Sequence, residues 1–77
     1  MAATVLLIDD EEQLRKLLSR IISLEGFTVL EANSLKAGKQ TLLHQPVDVV
    51  LCDVRLPDGN GVEFVKTVKS NYPPVEV

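Results

Sequence analysis

Two aliphatic runs, each ending abruptly in carboxylates, constrain the fold of this chain more than any other feature. Thr4-Val5-Leu6-Leu7-Ile8 runs into Asp9-Asp10-Glu11, and Val47-Asp48-Val49-Val50-Leu51-Cys52 runs into Asp53. Short Val/Ile/Leu-rich runs suit strands covered on both faces of a parallel sheet. In open α/β sheets, sites lie just beyond the carboxyl ends of the strands. If the two runs are neighbouring parallel strands, Asp9, Asp10 and Asp53 converge. Carboxylates held that close repel one another unless a proton or a cation intervenes. Such a cluster is suited to a divalent metal.

The intervening sequence supplies helices at the right intervals. Leu14, Leu17, Leu18, Ile21 and Ile22 form one stripe of a helix over 12–24, with Gln13, Arg15, Lys16, Arg20 and Ser23 on its other, solvated face. The stripe is expected to be core. Gly26 is placed to end that helix in a left-handed turn. Thr28 to Ala32 reads as a second strand. Asn33-Ser34 caps a second helix running to His44, with Leu35, Leu42 and Leu43 inward and Gly38 in its middle; Pro46 prevents its continuation. The third strand is expected over 47–52 and a loop over 54–61, punctuated by Pro57, Gly59 and Gly61. A third helix follows over 62–71, turning Phe64, Val65 and Val68 inward. After Pro73-Pro74, Val75-Glu76-Val77 begins an extended segment. The pattern, strand–helix–strand–helix–strand–helix and the start of a fourth strand, predicts an α/β fold: a parallel sheet with helices on both faces.

Bulk properties exclude several classes. With 77 residues there is room for one small domain, and 45% hydrophobic content is too high for a disordered chain. Net charge is −3 with Lys and Arg scattered, so no basic patch points to direct nucleic-acid contact. No apolar stretch approaches the ~20 residues of a membrane span, and the N-terminus lacks the pattern of a signal peptide. The single cysteine fits a reducing compartment. The expected location is the cytoplasm, without membrane association. Cys52 reads as a small apolar residue, His44 as a surface residue, and Asp58 and Asn60 as turn formers. A nucleotide or flavin enzyme is disfavoured, because Asp9-Asp10-Glu11 stands where a phosphate loop needs glycines.

The constellation resembles the receiver domain of bacterial two-component response regulators. Leu6-Leu7-Ile8-Asp9-Asp10-Glu11 is similar to that family's acidic-pair motif, and Cys52-Asp53-Val54-Arg55-Leu56-Pro57 to its phosphoacceptor motif. Gly61 stands where the family has a glycine before the third helix, and Gly26-Phe27-Thr28-Val29 links into the second strand. The resemblance covers essentially the whole chain and implies a flavodoxin-like fold. It implies that Asp53 is the nucleophile, taking a phosphoryl group from a phosphohistidine on a sensor histidine kinase. It assigns Mg2+ or another divalent cation to Asp10, Asp53 and the backbone carbonyl of Arg55, with Asp9 acting through water. Receivers catalyse their own phosphorylation and dephosphorylation, so the family is enzymatic only in that sense. Its first helix also docks the kinase. Asp53-Val54-Arg55-Leu56-Pro57 and Glu63-Phe64-Val65-Lys66 are similar to receivers joined to enhancer-binding transcription activators.

The family's sheet has five strands in the order 2-1-3-4-5, and this sequence reaches only the start of the fourth. The expectation is therefore the N-terminal portion of a receiver. The Ser or Thr of the fourth strand and the Lys of the fifth have no counterpart among these residues. Without the family's last helix, part of the first helix's packing surface would be uncovered, and an open edge along 47–52 would invite pairing with another chain. The alternative expectation is a fragment that self-associates, as a dimer or higher or by strand exchange, and does not switch.

Overall fold

The computed structural model describes residues 2–77. Strand β1 (Thr4–Ile8) is central in a three-stranded parallel sheet, flanked by β2 (Thr28–Ala32) and β3 (Val49–Cys52) in the order β2-β1-β3. Helix α1 (Glu12–Leu24) connects β1 to β2, and α2 (Leu35–His44) connects β2 to β3. Two short strands, β4 (Arg55–Leu56) and β5 (Gly59–Asn60), form a hairpin before α3 (Gly61–Asn71).

Local signals account for these boundaries. Gly26, at φ +96°, ends α1 and donates its N–H to Ser23 O at 3.0 Å. Ser34 Oγ accepts the Ala37 N–H at 3.1 Å and starts α2. Asn60 Oδ1 accepts from Val62 N at 2.7 Å and Glu63 N at 3.3 Å and starts α3. Asn60 is thus a helix cap rather than a plain turn former.

Because side chains alternate across a strand, β1 serves two layers. Leu6 and Ile8 join Val50, Ala32, Leu35, Leu42, Phe64, Val68 and Val75 in the core beneath α2 and α3. Leu6, Ile8, Val50 and Val68 are fully buried. Each such side chain contributes roughly 1.5–3 kcal/mol through burial. On the opposite face, Leu7 and Leu51 line a groove with Leu18 of α1.

The structure corrects several expectations, beginning with Leu43, which faces outward from α2. The α1 stripe is not core: no α1 residue is buried, and Leu17 and Ile21 are 55% and 49% exposed. The helix packs mainly over β2 and β1, so only one flank of its stripe meets the sheet. The third strand starts at Val49, not Val47. Residues 54–61 are not an irregular loop but carry the β4–β5 hairpin. Finally, the outer edge of β3 is not open along its length. Glu76 donates its N–H to Asp48 O at 2.9 Å and accepts from Val50 N at 2.8 Å.

Candidate functional site

The two acidic signals meet because their strands are adjacent and in register. Ile8 pairs with Ala32 on one side and with Cys52 on the other. The ladder then runs one residue further on both sides. Asp9 N–H donates to Ala32 O at 3.0 Å, and Asp53 N–H donates to Ile8 O at 3.0 Å. Both aspartates are therefore fixed by backbone bonds at the carboxyl ends of β1 and β3. One carboxylate oxygen from each of Asp9, Asp10 and Asp53 lies within 4.8 Å of the others. Asp9 is buried, while Asp10 and Asp53 are open to solvent.

Each carboxylate has a different local tie. Asp9 Oδ1 accepts the Glu11 N–H at 2.9 Å. Asp53 Oδ1 accepts the Val54 N–H at 2.8 Å. Among the described residues, Asp10 and the second oxygen of Asp53 accept no hydrogen bond, and none of the three forms an ion pair. The donor set is oxygen only, uncompensated and partly exposed, which fits a hard divalent cation that keeps some of its water. Arg55, whose carbonyl the resemblance adds to the ligands, lies two residues beyond Asp53 on β4.

Two residues near the site have roles that the sequence pattern does not give. Periodicity puts Arg15 on a solvated face, yet its side chain is only 12% exposed. Its Nη1 donates to Asp9 O at 2.9 Å, and its Nε donates to Glu31 Oε1 at 3.0 Å. It thereby ties α1 to the ends of β1 and β2, and Glu31 takes up its charge. Asp58 is more than a turn former: it accepts from the N-terminal amides of α2, Leu35 N and Lys36 N, both at 2.9 Å. These two bonds hold its carboxyl below the ordinary 3.8.

Comparison with known proteins now decides the family. The model for the response regulator receiver domain matches residues 5–77. The chain belongs to the response regulator receiver family. Among its relatives is the hydrogenase transcriptional regulatory protein HoxA of Cupriavidus necator, 44% identical over 73 residues. That match takes in 95% of this chain and 15% of the length of HoxA. Solved receivers share the fold. The MaeR response regulator bound to beryllium trifluoride superposes with a TM-score of 0.90 at 25% identity, over 97% of this chain and 63% of that one. TrrA of Thermotoga maritima, in complex with Mg2+-BeF, gives 0.87 at 22% identity over 92% of this chain and 62% of its own. The flavodoxin-like reading and the resemblance are both borne out. Among the described residues, no helix is long and apolar enough to cross a membrane.

In this receiver the residue before Asp53 has its own electrostatic signature. Half-buried Cys52 directs its Sγ to Asp53 O at 3.3 Å. Burial, reinforced by the charges of Asp53 and Asp9, pushes its thiol from 9.0 up to about 11. At pH 8 its thiolate should be about a hundredfold scarcer than that of an ordinary thiol, since the thiolate is the reactive form. Alkylation by iodoacetamide is accordingly expected to be slow, gaining about tenfold per pH unit until pH approaches 11. A rate equal to that of an unfolded cysteine peptide at pH 8 would contradict this environment.

Proposed function

We propose that this receiver accepts a phosphoryl group on Asp53 from the phosphohistidine of a sensor histidine kinase, and that Mg2+ is held by Asp10, Asp53 and the Arg55 carbonyl, with Asp9 behind them. The observation that carries the reading is the convergence of Asp9, Asp10 and Asp53 within 4.8 Å at the ends of adjacent strands. Asp53 is exposed, and its Val54 hydrogen bond leaves one carboxylate oxygen free to attack. That oxygen forms a bond to phosphorus while the phosphorus–nitrogen bond of the donor breaks, and the imidazole, already protonated on its other ring nitrogen, leaves as the neutral ring. A carboxylate is a weak nucleophile, so position and charge neutralisation supply the catalysis. The cation, when bound, offsets negative charge on the phosphoryl oxygens. The Asp53 N–H bond to Ile8 O and the Val54 N–H bond to Asp53 Oδ1 hold the nucleophile in place, and Arg15 fixes the Asp9 main chain.

HoxA is a transcriptional regulator, which supports an output in transcription control for the protein that carries this receiver. That MaeR and TrrA were solved with beryllium trifluoride and Mg2+-BeF supports the acidic site as the place of phosphoryl chemistry. Incubation with a small phosphodonor and Mg2+, followed by intact mass, tests the reading. With no counterpart of the family's Ser/Thr and Lys among these residues, uptake is expected to be slow, and any phosphoryl adduct is one that EDTA suppresses and Asp53→Asn eliminates. An adduct that persists in Asp53→Asn would refute the choice of nucleophile.

A further inference from the structure

The β4–β5 hairpin carries Arg55, two residues beyond Asp53, and it is anchored at two separate points. At its base, Gly61 N–H donates to Val54 O at 2.8 Å. At its tip, the Asp58 carboxylate reaches across 22 and 23 residues of sequence. One oxygen accepts from Leu35 N and the other from Lys36 N, each at 2.9 Å. The contact is close-fitting as well as polar. Gly59, beside Asp58, has φ +155°, and a Cβ there would come within 2.7 Å of Leu35 Cδ1. Leu35 is itself buried in the core.

Helix α2 therefore has two caps with different origins. Ser34 is the local one and takes the Ala37 N–H. Asp58 is the distant one and takes the first two amides, where a negative charge also meets the positive end of the helix. Only the second cap connects α2 to the segment holding Asp53 and Arg55.

We propose that Asp58 is a positioning residue of the metal site, clamping the hairpin tip to α2 so that the Arg55 carbonyl and Asp53 keep a fixed relation. The inference rests on the Mg2+ site proposed above. Without the tip clamp the hairpin loses its hydrogen bonds to α2 and keeps its base bond at Val54–Gly61 and the apolar packing of Leu56 on the core, so the segment bearing Arg55 gains freedom that metal binding must then remove. Partners that orient metal ligands from outside the coordination sphere typically change affinity by about 10–100-fold. Asp58 acts through main chain rather than through a ligand side chain, so the low end is expected.

The test is Mg2+ titration by calorimetry on wild type, Asp58→Ala, Asp58→Asn and Ser34→Ala, with thermal melts establishing that each is folded. Asp58→Ala should weaken Mg2+ binding about tenfold. Asp58→Asn, which keeps one oxygen for one amide, should fall between it and wild type. Ser34→Ala removes a cap from the same helix without touching the hairpin, and should leave the affinity within about twofold. Unchanged affinity in Asp58→Ala, or equal weakening in Ser34→Ala, overturns the inference and leaves the metal site standing. Absence of Mg2+ binding by the wild type refutes the site itself.

Discussion

Asp10→Asn is expected to raise the melting temperature of the metal-free protein and to abolish most of the further rise that Mg2+ gives the wild type. Two opposite effects follow from one geometry. With no cation present, Asp10 faces two carboxylates within 4.8 Å and, among the described residues, has no ion pair or hydrogen bond to lose. A pair of unit charges about 4 Å apart interacts by about 1 kcal/mol in bulk water. Asp10 and Asp53 are exposed, and salt screens them further. Removing the charge should therefore stabilise by roughly 0.5–1 kcal/mol. In a domain of this size that is a rise of about 2–8 °C. With Mg2+ at about a hundred times its dissociation constant, the wild type gains about 2.7 kcal/mol through mass action. The variant lacks a charge that the proposed Mg2+ site uses and should retain little of that gain. Melts followed by circular dichroism in EDTA and in excess Mg2+ measure both terms. An equal Mg2+-dependent rise in the two proteins would remove Asp10 from the metal site.

The residues that made the site legible are those whose signals are local. An apolar run ended by a carboxylate states both the strand and the place where it stops, so Asp9, Asp10 and Asp53 converge once the two strands are neighbours. The β2-β1-β3 order that joins them is the family's own. What escaped depends on contacts far apart in sequence. Nothing near Asp58 shows that its partners are the amides of residues 35 and 36. Arg15 sits on the polar side of its helix by periodicity, and only the neighbouring ends of β1 and β2 make it an anchor. The α1 stripe misled for a related reason. Periodicity shows that a face is apolar, but how far it is covered depends on what the sheet beneath presents. Here Leu14, Leu17 and Ile21 remain substantially exposed. The hairpin at 55–60 was hidden because Pro57, Asp58 and Gly59 are turn residues whether or not strands flank them.

Two glycine-to-alanine changes, identical in chemistry, are expected to differ widely in effect. Gly61 is buried, and its φ is not in the positive region; its requirement is space. A Cβ there would overlap the Asp53 carbonyl oxygen, lie 2.8 Å from Asp53 C and 3.1 Å from Val54 Cα. All three are backbone atoms, so no rotamer change relieves the clash. The main chain of Asp53 or Val54 must move, and with it the Gly61 N–H bond to Val54 O that closes the base of the hairpin. Overpacking in a filled region typically costs 1–3 kcal/mol, and rigid surroundings place Gly61→Ala near the upper end, about 3 kcal/mol. The displaced atoms belong to Asp53, the proposed nucleophile, so metal affinity and phosphoryl uptake should fall together with stability. Gly38 lies within α2, and its added Cβ would meet Ile8 Cδ1 at 2.6 Å, the far end of a side chain. Alanine also gains about 1 kcal/mol over glycine in a helix interior, which offsets much of the repacking. Gly38→Ala should therefore stay within about 1 kcal/mol of wild type and keep its Mg2+ affinity. Urea denaturation paired with Mg2+ titration separates the two. If both variants lost the same stability and Gly61→Ala bound Mg2+ normally, the close approach of Gly61 to Asp53 would have no part in holding the site.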